Sequence, residues 1–139
     1  MKNIQDYVTL NILRDVSEDF DRGRIYLPQD ELARFGILED QLKSRFADDG
    51  FRSFVQFQIG RAREYYQAAE LGVPLLVGDA AQLTVRVMGR LYGAILEAIE
   101  RQDYDVFRAR AFVPFSRKMV LLAECQKQNL KDRWTRFVG

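Results

Sequence analysis

Residues 11–32 read NILRDVSEDFDRGRIYLPQDEL. On a helix, positions four apart drift by only about 40° per step, so Asn11, Asp15 and Asp19 share a stripe about 12 Å long. Two carboxylates on successive turns repel each other unless a cation sits between them. Magnesium takes hard oxygen donors, commonly one or two carboxylates together with substrate phosphate oxygens. The stripe therefore suits a site where Mg²⁺ bridges protein to a diphosphate. Arg14 on its flank, and Arg22 and Arg24 in the next turn, would partner the anion. Spacing alone suits a plain solvated surface at least as well, because Glu18 and Asp21 lie close by and acidic helix faces are common.

Outward from this stretch the hydrophobic period is helical almost throughout, which predicts an all-α chain. A first helix is expected from about Ile4 to Phe20, closing near Gly23. Pro28 reads as the first residue of a short helix that Gly36 stops, and another is expected over Leu38–Phe46. After the break at ADDG (47–50), a long helix should run from about Arg52 to Leu71, with Gly72 and Pro74 ending it. The next is expected over Asp79–Arg101, with a polar stripe of Arg86, Arg90, Glu97 and Arg101. Val87, Leu91, Ala94, Ile95 and Ala98 form its buried side. Gly89 and Gly93 on this helix suggest close approach of another backbone. A last helix is expected from Ser116 into the 120s. With no repeats or linkers, residues 1–139 read as one domain.

Bulk composition narrows the function classes. The chain has 139 residues, 47% of them apolar, and 21 basic against 20 acidic side chains. That is a globular composition with interspersed charge, which argues against a nucleic-acid partner. No apolar run reaches the roughly 18 residues that would span a bilayer, and the first residues lack a signal-peptide pattern. The single Cys125 cannot form an internal disulfide, so a cytoplasmic setting is expected. There is no histidine, which removes imidazole bases and His-ligated zinc and favours carboxylate and hard-metal chemistry. Tyr65, Tyr66 and Tyr92, at helical spacing, read as core residues, and Arg110 alone reads as surface.

Taken as strings, three segments change those odds. NILRDVSEDFDRGRIYLPQDELARFGI (11–37), FRSFVQFQIGRAREYYQAAELGVPLL (51–76) and LYGAILEAIERQDYDVFRARAFVP (91–114) follow one another in order. Together they closely resemble the second aspartate-rich motif, the following long helix and the Tyr-x-x-Ile-Leu segment of the squalene/phytoene synthase family. The phytoene synthase branch is the most similar, ahead of squalene and dehydrosqualene synthases. The resemblance implies the C-terminal half of an isoprenoid-synthase-type helical bundle. It also implies Mg²⁺-dependent head-to-head condensation of two prenyl diphosphates, geranylgeranyl diphosphate to phytoene in carotenoid biosynthesis. In that reading Asn11, Asp15 and Asp19 hold Mg²⁺ (Mn²⁺ as the alternative ion), and Arg14 and Arg110 bind diphosphate. Tyr92 hydrogen-bonds the diphosphate or orients the intermediate, so Tyr92 and Arg14 also take the catalytic roles. Squalene formation needs NADPH and phytoene formation does not; no dinucleotide fingerprint is present.

Two departures qualify the resemblance. Asp15 to Asp19 is the only Asp-x-x-x-Asp in the chain, whereas the family carries a first such motif in its N-terminal half. Val8 also stands where the family usually has glutamine. These predict an incomplete site: a chain needing a complementary N-terminal half or a homodimer, or a truncated, non-catalytic member that binds prenyl diphosphate. A helical interaction module without ligand is the reading from another class. FSRKMVLLAE (115–124) hints at peripheral membrane contact, although a packed helix is the plainer reading.

Overall fold

The computed structural model describes residues 5–138. Six α-helices and no strand occur among them, as the period of the sequence requires. They are α1 (Gln5–Asp21), α2 (Gln29–Arg34), α3 (Glu39–Ser44), α4 (Asp49–Gly72), α5 (Asp79–Arg101) and α6 (Phe115–Val138). A single 3-10 turn, Val73–Leu75, follows α4. The expected start of α1 at Ile4 and the side chain of Val8 lie outside what is described.

Glycine ends two of these helices by the same local device. Gly23 takes a φ of +69°, and the Arg24 amide reaches back to the Asp19 carbonyl at 2.9 Å. Gly36, at +70°, lets Ile37 donate to the Leu32 carbonyl at 2.9 Å, with both side chains buried. Only a residue without Cβ takes this conformation freely, so both stops are written in the sequence.

Three boundaries depart from the sequence reading. α4 begins at Asp49, because the Asp48 carboxylate caps the Phe51 amide at 2.8 Å. The Asp-Asp-Gly that reads as a break is a cap and a first turn. Gly72 stays helical, and the chain leaves α4 through the 3-10 turn carrying Pro74. α6 runs on to Val138: nothing between Ser116 and Val138 is Gly or Pro, and α5 holds the second half of the helix. Arg86 pairs with Asp132, Arg133 with Asp79 at 3.1 Å, and Asn129 donates to the Asp79 carbonyl at 3.3 Å.

α5 is the central strut. It packs against α6 on one side and against α4 and α1 on the other, while α1 also lies on α4. Its buried arc is consequently wider than one stripe: Leu96 and Ile99 are fully buried together with the expected Ala94 and Ala98. Val87, Leu91 and Ile95 are half-buried. Arg86, expected on a polar face, is nine-tenths buried. The main core joins Leu13 and Val16 of α1 to Phe51, Phe54, Val55 and Ile59 of α4 and to Leu96 and Ile99. α2 is pinned to α4 by Glu31, which accepts from Gln58 and Arg61.

Gly89 and Gly93 do not mark a close helix crossing. A Cβ built on either meets nothing within 4 Å, and both line an open cavity. Several large apolar side chains are exposed, including Leu75, Val77, Met88, Phe112, Phe115 and Met119, and Met88 lines this same cavity. The lone Trp134, near the end of α6, is 71% exposed.

Two substitutions separate packing from propensity. Leu96→Ala should cost about 3 kcal/mol through its cavity, whereas Gly93→Ala should stabilise by about 0.5–1 kcal/mol because the added methyl meets open space. Urea unfolding followed by far-UV circular dichroism measures both.

Candidate functional site

The site is assembled where α1 passes the connection between α5 and α6. That connection, residues 102–114, is long and carries no regular element, yet it is tightly held. Asp103 and Tyr104 follow α5 with φ of +55° and +59°, an uncommon conformation for side chains of their size. Arg52 fixes the corner by donating to the Ala47 and Asp103 carbonyls, each at 2.9 Å, and pairing with the Asp103 carboxylate. Asp105 then accepts from the Phe107 and Arg108 amides at 3.1 Å. Phe107 packs on Phe51, ring centres 4.7 Å apart, and Val106, Ala111 and Val113 are buried. The outcome is a fixed position for Arg110.

From there Arg110 reaches α1. Its Nε donates to Asp15 Oδ1 at 3.0 Å, and its Nη1 lies 3.5 Å from Glu18 Oε1. Arg14 grips the same carboxylate from the other side in a two-pronged pair, Nε to Oδ1 at 2.8 Å and Nη2 to Oδ2 at 2.7 Å. Hydrogen bonding from Arg14, ahead of the charge of Arg110, holds the Asp15 carboxyl below the usual carboxylate range. The same bond raises Arg14.

Beside this triad opens a cavity of about 400 Å³ lined by Arg14, Arg110, Tyr92 and Lys118. Its remaining wall is apolar, with Met88, Leu91, Ile95, Phe112 and Val113. A second cavity of about 390 Å³, bordered by Gly89 and Gly93, shares Met88 and Tyr92 as a common wall. Tyr92 is half-buried and stacks on Tyr66 at 5.9 Å with planes 14° apart. Charged groups over an apolar floor suit an amphiphile with an anionic head.

The structure thus brings together Arg14, Tyr92 and Arg110, with Asp15 bound to both arginines. Asp19 instead borders a narrow crevice with Ile12, Val16, Phe20 and Arg24, and Asn11 lines neither large cavity. Arg22 and Arg24 are exposed, and Arg24 turns to the Tyr26 hydroxyl at 3.4 Å. Tyr65, like Tyr66, is half-buried. Sequence reasoning missed Lys118, whose only hint was a cation in the first turn of the last helix. The donor types on α1 fit magnesium, which takes carboxylate and amide oxygens. Among the described residues no cluster of three ligating Asp, Glu or Cys side chains forms, so α1 by itself does not complete a metal site.

The squalene/phytoene synthase family model matches residues 8–117. This chain belongs to that family. Among its relatives, the 15-cis-phytoene synthase of Synechococcus elongatus is 52% identical over 112 residues, 81% of this chain and 36% of that protein. The 15-cis-phytoene synthase of Synechocystis is 46% identical over 81% of this chain and 33% of its own length. A crystal structure of a dehydrosqualene synthase in complex with ligand superposes with a TM-score of 0.79 at 30% identity, covering 91% of this chain and 44% of that one. The all-α fold is therefore that of the synthase family, and the chain spans about a third of the length of these two phytoene synthases. Among the described residues no helix is long and apolar enough to cross a membrane.

The triad has a pH signature. Asp15 binds its proton less tightly folded than unfolded, so its stabilising contribution is complete above the ordinary carboxylate value of about 3.9 and drains away as pH falls below it. Wild type should therefore lose more stability than Asp15→Asn between pH 5 and pH 3 in thermal melts. Equal losses would show that the pairing contributes nothing.

Proposed function

We propose that this chain forms the diphosphate-binding side of a head-to-head prenyl synthase site, with geranylgeranyl diphosphate as substrate and phytoene as product. One observation carries the reading: Arg14 and Arg110, from distant parts of the sequence, meet at Asp15 on the mouth of an apolar cavity. In this reading the two guanidiniums take phosphate oxygens, in the forked geometry that suits such anions. The Tyr92 hydroxyl orients the head group, and the apolar wall keeps water from an allylic cation. Asn11, Asp15 and Asp19, with carboxylates from a facing helix, would hold Mg²⁺ or Mn²⁺, which supplies Lewis-acid stabilisation of the departing diphosphate. The C20 choice rests on the names of the relatives, which are phytoene synthases. It requires no reductant.

A facing helix is part of the proposal because α1 alone supplies one flank of carboxylates. Phe112 on the cavity wall is exposed, as are Phe115 and Met119 just after it in the chain, and this supports such a partner surface. The same observation favours a second reading, in which the chain binds prenyl diphosphate without turning it over.

Equilibrium binding of geranylgeranyl diphosphate in the presence of Mg²⁺ tests the reading. Arg14→Ala and Arg110→Ala should each weaken binding by about tenfold or more, the loss of a charge-assisted contact. Asp15→Ala should abolish its dependence on Mg²⁺. Unchanged binding in all three variants would defeat the assignment. The 139-residue chain incubated alone with substrate and Mg²⁺ should yield no phytoene.

A further inference from the structure

α6 has two apolar faces, and α5 covers one of them. Leu121, Cys125 and Asn129 are buried on the α5 side, where Asn129 donates to the Asp79 carbonyl. Leu130, Trp134 and Phe137 are exposed. At about 100° per residue these three fall within an arc of about 60° on the opposite side of the helix. They lie beyond residue 117, where the match to the family model ends, so the family resemblance does not account for them.

More apolar surface stands at the same end of the molecule. Arg133 pairs with Asp79 at 3.1 Å, which sets the end of α6 beside the start of α5, just after Val77 in the chain. Leu75 and Val77 are both exposed on the connection between α4 and α5. That connection is firmly held: Val73 is buried, and the buried Gln82 donates to the Leu76 carbonyl at 2.9 Å.

The charge around the stripe has one sign. Residues 126–138 carry four basic residues, Lys127, Lys131, Arg133 and Arg136, and one acidic residue, Asp132, which Arg86 engages. Lys127 and Lys131 are exposed along one edge of the stripe, and among the described residues no carboxylate pairs with either. Two copies meeting through this face would set like charges against each other, which disfavours self-pairing. A layer of anionic headgroups over hydrocarbon complements both features. Indole rings favour that boundary, apolar neighbours sink just below it, and lysine stems lie along it with their charges in water.

We propose that the outer face of α6 over residues 127–137, with the turn at 75–77, is a docking site for an anionic lipid surface. Leu130, Trp134 and Phe137 enter the headgroup boundary, and Lys127 and Lys131 take the lipid phosphates. The inference is independent of the diphosphate reading of the cavity beside Arg110.

Flotation of the full chain with vesicles, across a range of lipid concentrations, gives the test. One set of vesicles is phosphatidylcholine alone, and the other is phosphatidylcholine and phosphatidylglycerol in equal parts. Wild type should float with the mixed vesicles far better than with the neutral ones, and added salt should weaken the binding. Trp134→Ala and Phe137→Ala should each lower the partition coefficient about tenfold, through lost apolar burial. Lys127→Gln and Lys131→Gln should each lower it about fivefold on mixed vesicles and leave the neutral ones unaffected. Phe46→Ala, which removes an exposed ring from the connection between α3 and α4, should change nothing. All the altered side chains are exposed, so far-UV circular dichroism and the melting temperature should match wild type.

The inference fails if folded wild type floats with neither vesicle, or equally with both. Losses matched by Phe46→Ala overturn it as well. So does a wild-type dimer in sedimentation velocity that Trp134→Ala dissolves while lipid binding is absent, since the stripe would then be an interface between copies.

Discussion

One carboxylate holds the candidate site together. Asp15 ties α1 to the segment beyond α5 by accepting from Arg14 and Arg110 at once, and both contacts lie within 3.0 Å. It is only one-fifth exposed, so these are partly desolvated, charge-assisted bonds of the stronger kind. Without them Arg110 would be a solvated side chain on an irregular connection, and the cavity would lose one wall. The same bonds order both guanidiniums where they line the cavity, so the anion proposed for it would cost less entropy to bind.

That arrangement has a cost the rest of the fold absorbs. Placing Arg110 requires the left-handed pair Asp103 and Tyr104, and the corner persists because Arg52 binds its backbone while Phe107 anchors it to Phe51. Arg52, Asp103 and the Phe51–Phe107 ring pair therefore all serve the placement of Arg110. The core of α1, α4 and α5 supplies the rigid base for this, and Leu96 and Ile99 are its centre.

What the sequence revealed follows from how local each signal is. Gly23 and Gly36 announce their helix ends because the reason is contained in a single residue's φ, and α5 was legible from end to end by its period. Asp48 was misjudged because a capping aspartate and a loop aspartate look alike until the amide it caps is known. The full run of α6 depends on pairings with α5 across some fifty residues of chain. In the site, Arg14, Tyr92 and Arg110 were named through family resemblance. Lys118 was not, since only the tertiary fold sets it opposite α1. Asn11, Asp15 and Asp19 show the reverse limit: a drift of about 40° per step adds up to about 80° over the stripe, which turns Asp19 toward a different crevice.

The position of the lone tryptophan decides what optical methods can see. Trp134 stands sixteen residues beyond Lys118 on one continuous helix, about 24 Å along its axis at 1.5 Å per residue. Its indole is bathed in solvent. Native emission will thus be red-shifted and silent toward events at the cavity beside Arg14 and Arg110, while any molecule that settles on the far end of α6 will shift it to the blue.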